Sequence, residues 1–189
     1  NDHLLETDMR SIADTAGFIL VCPQGAFLDG STHWNTAVIG PGNKSSIDDL
    51  GFFDWILDEI MANYSVDAQR VYVCGYSNGS FFSYSLACQK SHRIAGIGSV
   101  SGAMLDDTSS CSPTHPTAII HLHGTNDVVV AYNGTGEYPS VNTAINYWTS
   151  HNMTTSIPNS QSVNSNGLTI ERFFYGGGTN DVAVVLYKV

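Results

Sequence analysis

A serine between two glycines stands where an apolar run gives way to a helix-forming run. The motif is G-Y-S-N-G at residues 75–79, preceded by apolar residues 71–74 and followed by a predicted helix over residues 80–90. Because the glycines permit a tight turn, the hydroxyl of Ser77 would lie above the strand end, at the N-terminus of a helix. The helix dipole and free N–H groups there favour a developing oxyanion. The layout predicts a serine nucleophile, and the alternative is an ordinary helix-capping serine.

Acidic residues follow later strand runs, and one of them could orient a catalytic histidine. Residues 118–123 form an apolar strand run, and Asp127 follows it closely. Function gathers at the carboxyl ends of strands in an open α/β sheet, and in such hydrolases the order along the chain is Ser, Asp, His. Asp127 is therefore the predicted acid. Asp106 and Asp107, after the preceding strand run, are the alternatives, and Asp181 in a turn fits less well.

A histidine after Asp127 would complete this order, and His151 is the one that follows it. It lies just beyond a helix that is predicted to begin near residue 141. A solvated imidazole near the end of a helix is its more ordinary interpretation, because positive charge is favoured there. The earlier loop and helix-end histidines, His33, His92 and His115, offer no better base.

The oxyanion hole raises the same difficulty as the base. One donor would be the backbone N–H of Asn78, and a second should come from a loop after an early strand. The sequence instead opens in a predicted helix. We therefore expect the second donor to precede residue 1 and the base to lie beyond residue 189.

Composition narrows the class of protein. The chain of 189 residues is 42% hydrophobic and carries 7 basic and 17 acidic side chains, giving a net charge of −10. This length usually forms one domain with a sizeable core, so we expect a single domain over residues 1–189. The charge argues against nucleic acid and anionic membranes as partners. No apolar stretch approaches the roughly 18 residues of a membrane span.

The four cysteines divide into two pairs. Cys22 and Cys74 lie in apolar strand runs and are predicted to be small buried core residues. Cys88 falls late in the helix after the serine motif, and Cys111 falls in a polar loop. A disulfide between Cys88 and Cys111 is our hypothesis, since an even cysteine count is compatible with secretion.

Short apolar strands and amphipathic helices alternate along the chain. This alternation predicts an α/β fold with a mainly parallel sheet and helices on both faces. Ser46 and Asp49 are interpreted as a capping box at the second helix. The predicted elements after the opening helix are a strand at 18–22, a loop at 25–44, a helix at 47–64, strands at 71–74 and 94–100, the strand at 118–123, the helix from 141, and strands at 168–175 and 182–189.

Several separated motifs occur in an order that resembles one known family. The segments at residues 48–52, 71–79, 100–102, 111–116 and 121–132 carry the resemblance. They are similar to the polyhydroxybutyrate depolymerase and feruloyl esterase group of α/β-hydrolases, which includes acetylxylan esterase-like members. The resemblance implies an α/β-hydrolase fold, with Ser77 as nucleophile and Asp127 as acid. It also implies an extracellular or periplasmic enzyme that acts on a small-molecule or polymer ester, without a cofactor.

The resemblance covers nearly the whole chain, but two segments that the family carries at its ends are not found in it. Family members carry a His-Gly loop before the first helix and a Gly-Gly-Gly-His segment after the last strand. Here Gly176, Gly177 and Gly178 are followed by Thr179, so this is not the histidine segment. The chain is thus expected to be incomplete at both termini relative to the family.

Three further interpretations stay open. Because no catalytic base is identified, the chain could instead be a non-catalytic binding protein with a hydrolase fold. His121 and His123 with Asp127 could mimic a metal cluster, although no third close His or Cys ligand is evident. We expect no metal. Tyr76, Tyr132 and Trp34 are candidate substrate-binding residues. Trp34 could stack on a sugar or phenolic ring or could equally be a half-buried packing residue.

Overall fold

The computed structural model describes residues 7–28, 30–36, 45–104 and 109–189. Its contacts divide the chain into two compact units, Asn1–His33 and Trp34–Val189. Asp106 and Asp107, the alternative acids, lie outside the described residues.

The described residues of the smaller unit form one helix and one hairpin. Helix α1 spans Arg10–Ala16 and ends at Gly17, which adopts a left-handed conformation with φ of 69°. Strands β1 (Ala26–Leu28) and β2 (Ser31–His33) pair antiparallel, within a segment predicted as loop. The strand predicted at residues 18–22 is wrong. That segment pairs with no strand among the described residues, and an apolar run alone cannot make a strand without a hydrogen-bonded neighbour.

The larger unit is built around a six-stranded sheet with strand order β3-β4-β5-β8-β7-β6. Strands β3, β4, β5 and β8 pair in parallel. At one side of the sheet, β7 pairs antiparallel with both β8 and β6. This confirms the predicted α/β class with a mainly parallel sheet. The elements are α2 (Asp49–Asn63), β3 (Tyr72–Tyr76), α3 (Asn78–Gln89), β4 (Gly96–Val100), β5 (Ala118–His123), α4 (Val141–Asn152), β6 (Asn159–Ser165), β7 (Leu168–Tyr175) and β8 (Val184–Lys188).

Alternation along β5 decides which face of the sheet is buried. Ile119, His121 and His123 are buried on one face, whereas Ile120 and Leu122 point to the other face and are exposed. Helices α3 and α4 contribute to the same core cluster as Ile119. On α4 the buried residues include the predicted stripe with i, i+3, i+4, i+7 spacing, formed by Val141, Ala144, Ile145 and Trp148.

The four cysteines behave differently from one another. A disulfide joins Cys88 to Cys111 with an S–S distance of 2.03 Å, the pairing hypothesised from the sequence. It ties the end of α3 to the segment before β5. The prediction that Cys22 and Cys74 are buried is wrong, because both are exposed. Cys22 lies in the unpaired segment, and Cys74 lies on the exposed face of β3, between Tyr72 and Tyr76.

Two local predictions in the larger unit also need correction. Helix α2 is capped by Asp48, whose Oδ1 accepts from the backbone N–H of Gly51 at 2.8 Å, and not by Ser46. Strand β6 was not predicted. Its sequence is almost wholly polar and every residue in it is exposed, so it lacks the apolar alternation that marks a strand.

Candidate active site

Ser77 occupies a strained position between β3 and α3. Its φ of 51° and ψ of −118° put a non-glycine residue in a sparsely populated region. The surrounding hydrogen bonds hold it there: its N–H donates to the Val100 carbonyl at 2.9 Å, and its carbonyl accepts from the N–H groups of Ser80 (2.9 Å) and Phe81 (3.1 Å). Such strain costs about 1–3 kcal/mol and clusters at functional sites. The predicted strand–turn–helix context of the serine is therefore present.

Close approach of two backbone segments explains the first glycine of the motif. A Cβ at Gly75 would overlap the Gly79 carbonyl and lie 2.7 Å from the Ser80 nitrogen. A Cβ at Gly102 would lie 2.9 Å from the Ser77 carbonyl oxygen. A Cβ at Gly79 would meet nothing within 4 Å. The turn thus requires glycine at 75, whereas residue 79 has open space.

We predict opposite effects for alanine at the two glycines of the motif. Gly75→Ala should lower the free energy of unfolding by about 3 kcal/mol or more, because backbone atoms cannot move aside cheaply. Gly79→Ala should be neutral or raise it by up to about 1 kcal/mol, because residue 79 lies in α3 and alanine favours a helix. Urea unfolding monitored by circular dichroism measures both. Equal losses in the two variants would contradict the packing argument.

Asp127 is held in a tight turn after β5. Its Oδ1 accepts from the backbone N–H groups of Val129 and Val130, both at 2.9 Å. The hydrogen bond from Val130 contributes most to lowering the pKa of the Asp127 carboxyl, and Val129, His123 and the Ser101 hydroxyl lower it further against the opposing effect of burial. The carboxylate is therefore ionised at neutral pH.

The strand register brings Ser77 and Asp127 to the same edge of the sheet. Tyr76 pairs with Val100, and Val100 pairs with Leu122, so β3, β4 and β5 end level with one another. Neighbouring strands lie about 4.8 Å apart, which separates β3 from β5 by roughly 10 Å. Side chains that lean together from these two strand ends can be bridged by one imidazole hydrogen-bonded at each of its nitrogens.

His123 lies beside the carboxylate but is turned into the core. Its Nε2 is 2.7 Å from the Val130 carbonyl oxygen and 3.6 Å from Asp127 Oδ2, and its side chain is fully buried. A carbonyl can only accept, so Nε2 carries a proton, and in the neutral form of the ring Nδ1 is an acceptor. Nδ1 lies 3.1 Å from His121 Nε2, which must therefore donate to it.

The hydrogen-bond chain continues from His121 to α3. His121 Nδ1 lies 2.7 Å from the Tyr84 hydroxyl and 3.0 Å from the Ser99 hydroxyl, so with Nε2 carrying the proton its one lone pair faces both donors. Burial raises the pKa of Tyr84, which keeps that donor protonated. Ser99 in turn lies 2.6 Å from the hydroxyl of Ser80 in the first turn of α3. The two histidines thus bond to each other, and among the described residues no group of three or more His, Cys, Asp or Glu side chains could hold a metal.

We predict a pH dependence of stability that comes from His121. Burial, and secondarily the neighbouring His123, lower its pKa from 6.5 to about 3. Between these values the unfolded chain binds a proton that the folded protein does not, so stability falls as pH drops from about 6.5 towards 3, by up to about 1.4 kcal/mol per pH unit. His121→Gln should remove this part of the slope in urea unfolding between pH 4 and 6. The exposed His92→Gln is the control, and an unchanged slope in His121→Gln would refute the assignment.

The side chain of Asn78 clamps the backbone of Trp34. Asn78 Oδ1 accepts from the Trp34 N–H at 2.6 Å, and its Nδ2 donates to the Trp34 carbonyl at 3.0 Å. The Trp34 ring stacks on Phe82 with centroids 4.9 Å apart and is half-buried. This geometry favours the packing role that the sequence left open for Trp34.

Three other candidates for the base or the acid, His151, His115 and Asp181, lie away from Ser77. His151 Nε2 lies 3.2 Å from the His115 carbonyl, and its ring stacks on Tyr147. His115 Nδ1 lies 3.0 Å from the Thr114 hydroxyl. Asp181 lies in a short helical turn between β7 and β8. The structure therefore brings Asp127, and neither His151 nor Asp181, to the strand ends near Ser77.

Comparison with known proteins identifies a matching family. Residues 50–168, more than half of the chain, match the sequence profile of the phospholipase/carboxylesterase family. The chain belongs to that family. The match contains both Ser77 and Asp127.

Individual relatives of this family member are esterases by name. It is 32% identical over 126 residues to a bifunctional acetylxylan esterase/xylanase from Neocallimastix patriciarum, covering 67% of this chain and 17% of that protein. It is also 32% identical over 117 residues to feruloyl esterase B from Piromyces equi, covering 58% of this chain and 21% of that protein. The chain thus spans about a fifth of the length of each of these relatives.

A solved structure shares the fold of this carboxylesterase-family chain. An acetyl xylan esterase from Aspergillus awamori superposes with a TM-score of 0.65 at 15% identity, covering 94% of this chain and 73% of that structure. The α/β-hydrolase fold is therefore shown. In the described part of the chain, no helix is both long enough and apolar enough to cross a bilayer.

The two tyrosines predicted to bind substrate differ in exposure. Tyr76, directly before Ser77, is 57% exposed. Tyr132 is only 6% exposed, and its hydroxyl donates to Asn142 Oδ1 at 3.1 Å. It lines a cavity of about 400 Å³ together with Phe173 and Lys188. Tyr76 can therefore reach a ligand in solution, whereas Tyr132 can do so only from that cavity.

Sequence reasoning missed two features of the site. Ser101, at the end of β4, has a φ of 46° and lies close enough for its hydroxyl to lower the pKa of Asp127. The V-S-G segment at residues 100–102 could have pointed to Ser101, but it was used only for the family resemblance and no role was assigned to the serine. The hydrogen bonds of His121 and His123 were also missed, because alternate histidines in a strand fit either a metal pair or a buried pair.

Proposed function

We propose that this protein hydrolyses carboxylic esters, with Ser77 as nucleophile and Asp127 as the acid of a Ser-His-Asp triad. The observation that carries the proposal is the strained backbone of Ser77 at the turn from β3 into α3. Three hydrogen bonds, one to β4 and two from α3, hold this conformation, which presents the hydroxyl at a helix N-terminus. The ionised Asp127 at the same sheet edge supports the proposal.

The proposed reaction is acyl transfer in two steps. An imidazole takes the proton from Ser77 Oγ as that oxygen attacks the ester carbonyl, and the same proton then leaves with the alcohol. Asp127 orients the imidazole and offsets its charge. The backbone N–H of Asn78 helps to hold the oxyanion, and one such donor is worth about 3–4 kcal/mol. Water then attacks the acyl-enzyme and regenerates Ser77.

The origin of the catalytic imidazole, the base of the triad, is also part of the proposal. In the larger unit, His121, His123, His115 and His151 are each held by other contacts, and His92 lies in the short turn Ser91–Arg93 after the far end of α3. We propose that the imidazole between Ser77 and Asp127 comes from outside the described residues. For this reason the tests use the full-length protein that contains these 189 residues.

The substrate class follows from the named relatives. Feruloyl or acetyl esters of polysaccharides are the proposed substrates, since the relatives are named feruloyl and acetylxylan esterases. Polyhydroxyalkanoate esters are the alternative, and comparing turnover of methyl ferulate, acetylated xylan and polyhydroxybutyrate decides between them. The Cys88–Cys111 disulfide supports an extracellular or periplasmic location.

A fluorophosphonate probe tests whether Ser77 is an activated nucleophile. We expect rapid labelling of the full-length protein, with the adduct on the peptide that contains Ser77, because the reaction needs an assembled triad. The second candidate function is a non-catalytic binding protein, which is favoured by the burial of His123, the histidine nearest Asp127. A folded full-length protein that reacts no faster than heat-denatured protein would establish that candidate instead.

A further inference from the structure

The loop that carries Asp127 has little side-chain packing of its own. Val128 is 95% exposed and Val129 is 81% exposed, although both are apolar. Val130, which is buried, is the point at which the loop returns to the core. The position of the carboxylate therefore depends on hydrogen bonds rather than on buried side chains between Asp127 and Val130.

His123 supplies the hydrogen bond that closes this loop. Its Nε2–H donates to the Val130 carbonyl at 2.7 Å, while the Val130 N–H donates to Asp127 Oδ1 at 2.9 Å. The same Nε2 lies 3.6 Å from Asp127 Oδ2. The Nε2 edge of the His123 ring thus binds Val130, the residue whose N–H holds Asp127 Oδ1. The same edge faces Asp127 Oδ2.

The opposite edge of the ring is fixed by the core. His123 Nδ1 accepts from His121, which is itself held by the hydroxyls of Tyr84 and Ser99. Ser99 bonds to Ser80 in the first turn of α3, the helix that follows Ser77. A continuous line of buried hydrogen bonds therefore runs from the acid loop to the helix of the nucleophile.

We propose that His123 is the positioning residue for Asp127, an inference that rests on the proposed function. Through Nε2–H it holds the turn from Asp127 to Val130 in the shape that aims Oδ2 at the catalytic imidazole. Through Nδ1 it takes its own orientation from His121. His123 neither touches substrate nor exchanges a proton in the reaction.

Two substitutions separate the two edges of the ring. The amide nitrogen of Gln reaches about as far as Nε2, whereas that of Asn reaches only about as far as Nδ1. His123→Gln should keep a donor for the Val130 carbonyl and retain kcat within about threefold of wild type. His123→Asn should lower kcat by about 10- to 100-fold with KM changed less than about twofold, because misplacing a catalytic group by about 1 Å has that effect.

A purely structural role would not separate these variants. Equal kcat values in His123→Gln and His123→Asn, whether both normal or both reduced, would overturn the proposal. A double-mutant cycle adds a second criterion: in an Asp127→Asn background, His123→Asn should lower kcat by less than about threefold. Full additivity would show that His123 acts independently of Asp127.

Nuclear magnetic resonance of histidine nitrogens keeps the test valid even if the His123 variants do not fold. We expect His123 to be the neutral Nε2–H tautomer, with a resonance that shifts in Asp127→Asn and not in the control Asp181→Asn. An Nδ1–H tautomer, or a resonance insensitive to Asp127→Asn, would refute the proposal. Failure of the proposed function is recognised separately: Asp127→Asn would then hydrolyse esters as well as wild type does.

Discussion

Replacing Ser77 with alanine should abolish ester hydrolysis. We expect Ser77→Ala to lower kcat for methyl ferulate or an aryl acetate by at least about 10⁴-fold, because the covalent route is lost and only binding and oxyanion contacts remain. The measurement is steady-state turnover of the full-length protein at pH 7.5. Turnover within about tenfold of wild type would exclude Ser77 as the nucleophile.

A second substitution at residue 77 separates loss of chemistry from loss of fold. Ser77→Gly should be equally inactive yet at least as stable as wild type, because glycine adopts the positive φ of this position without strain. Urea unfolding measures that difference. Ser160→Ala, in the exposed strand β6, is the matched control and should retain full activity.

Replacing Asp127 with asparagine should give the second largest loss. Asparagine keeps an oxygen that accepts from the Val129 and Val130 N–H groups, so the loop should fold as before. It removes the negative charge that orients the imidazole and offsets its protonation. We expect kcat to fall by about 10³- to 10⁴-fold at pH 7.5 with little change in KM.

Other acids of the chain provide the controls for this result. Asp181→Asn should leave kcat within about twofold of wild type, since Asp181 lies in an exposed turn away from the strand ends near Ser77. If Asp127→Asn instead retains activity within about threefold, the acid lies elsewhere. Asp106→Asn and Asp107→Asn would then be examined next.

The sequence predicted the tight turn at Ser77 because one steric requirement defines that turn. Gly75 must approach the Gly79 carbonyl closely, and this constraint is visible as a glycine between an apolar strand and a helix. The position of Asp127 could also be predicted from the sequence, because parallel strands place their carboxyl ends at the same edge of the sheet whatever their side chains are. Both inferences rest on local geometry and on strand direction.

Features that depend on partners distant in sequence could not be predicted. Residues 18–22 look like a buried strand, yet strand formation depends on a neighbour that the segment itself cannot reveal. Strand β6 shows the converse, since pairing with β7 makes a strand of a polar sequence. The tautomers of His121 and His123 depend on Tyr84 and Ser99, which other elements bring to them.

The clamp between Asn78 and Trp34 constrains how specificity could be redesigned. Because the Asn78 side chain, in the first turn of α3, holds the Trp34 backbone through two hydrogen bonds, residue 34 is fixed beside the turn that carries Ser77. A chimaera that replaces the residues after Trp34 with those of a related protein would therefore need an amide at residue 78. Without that amide, the replacement would also change how residue 34 is held beside Ser77.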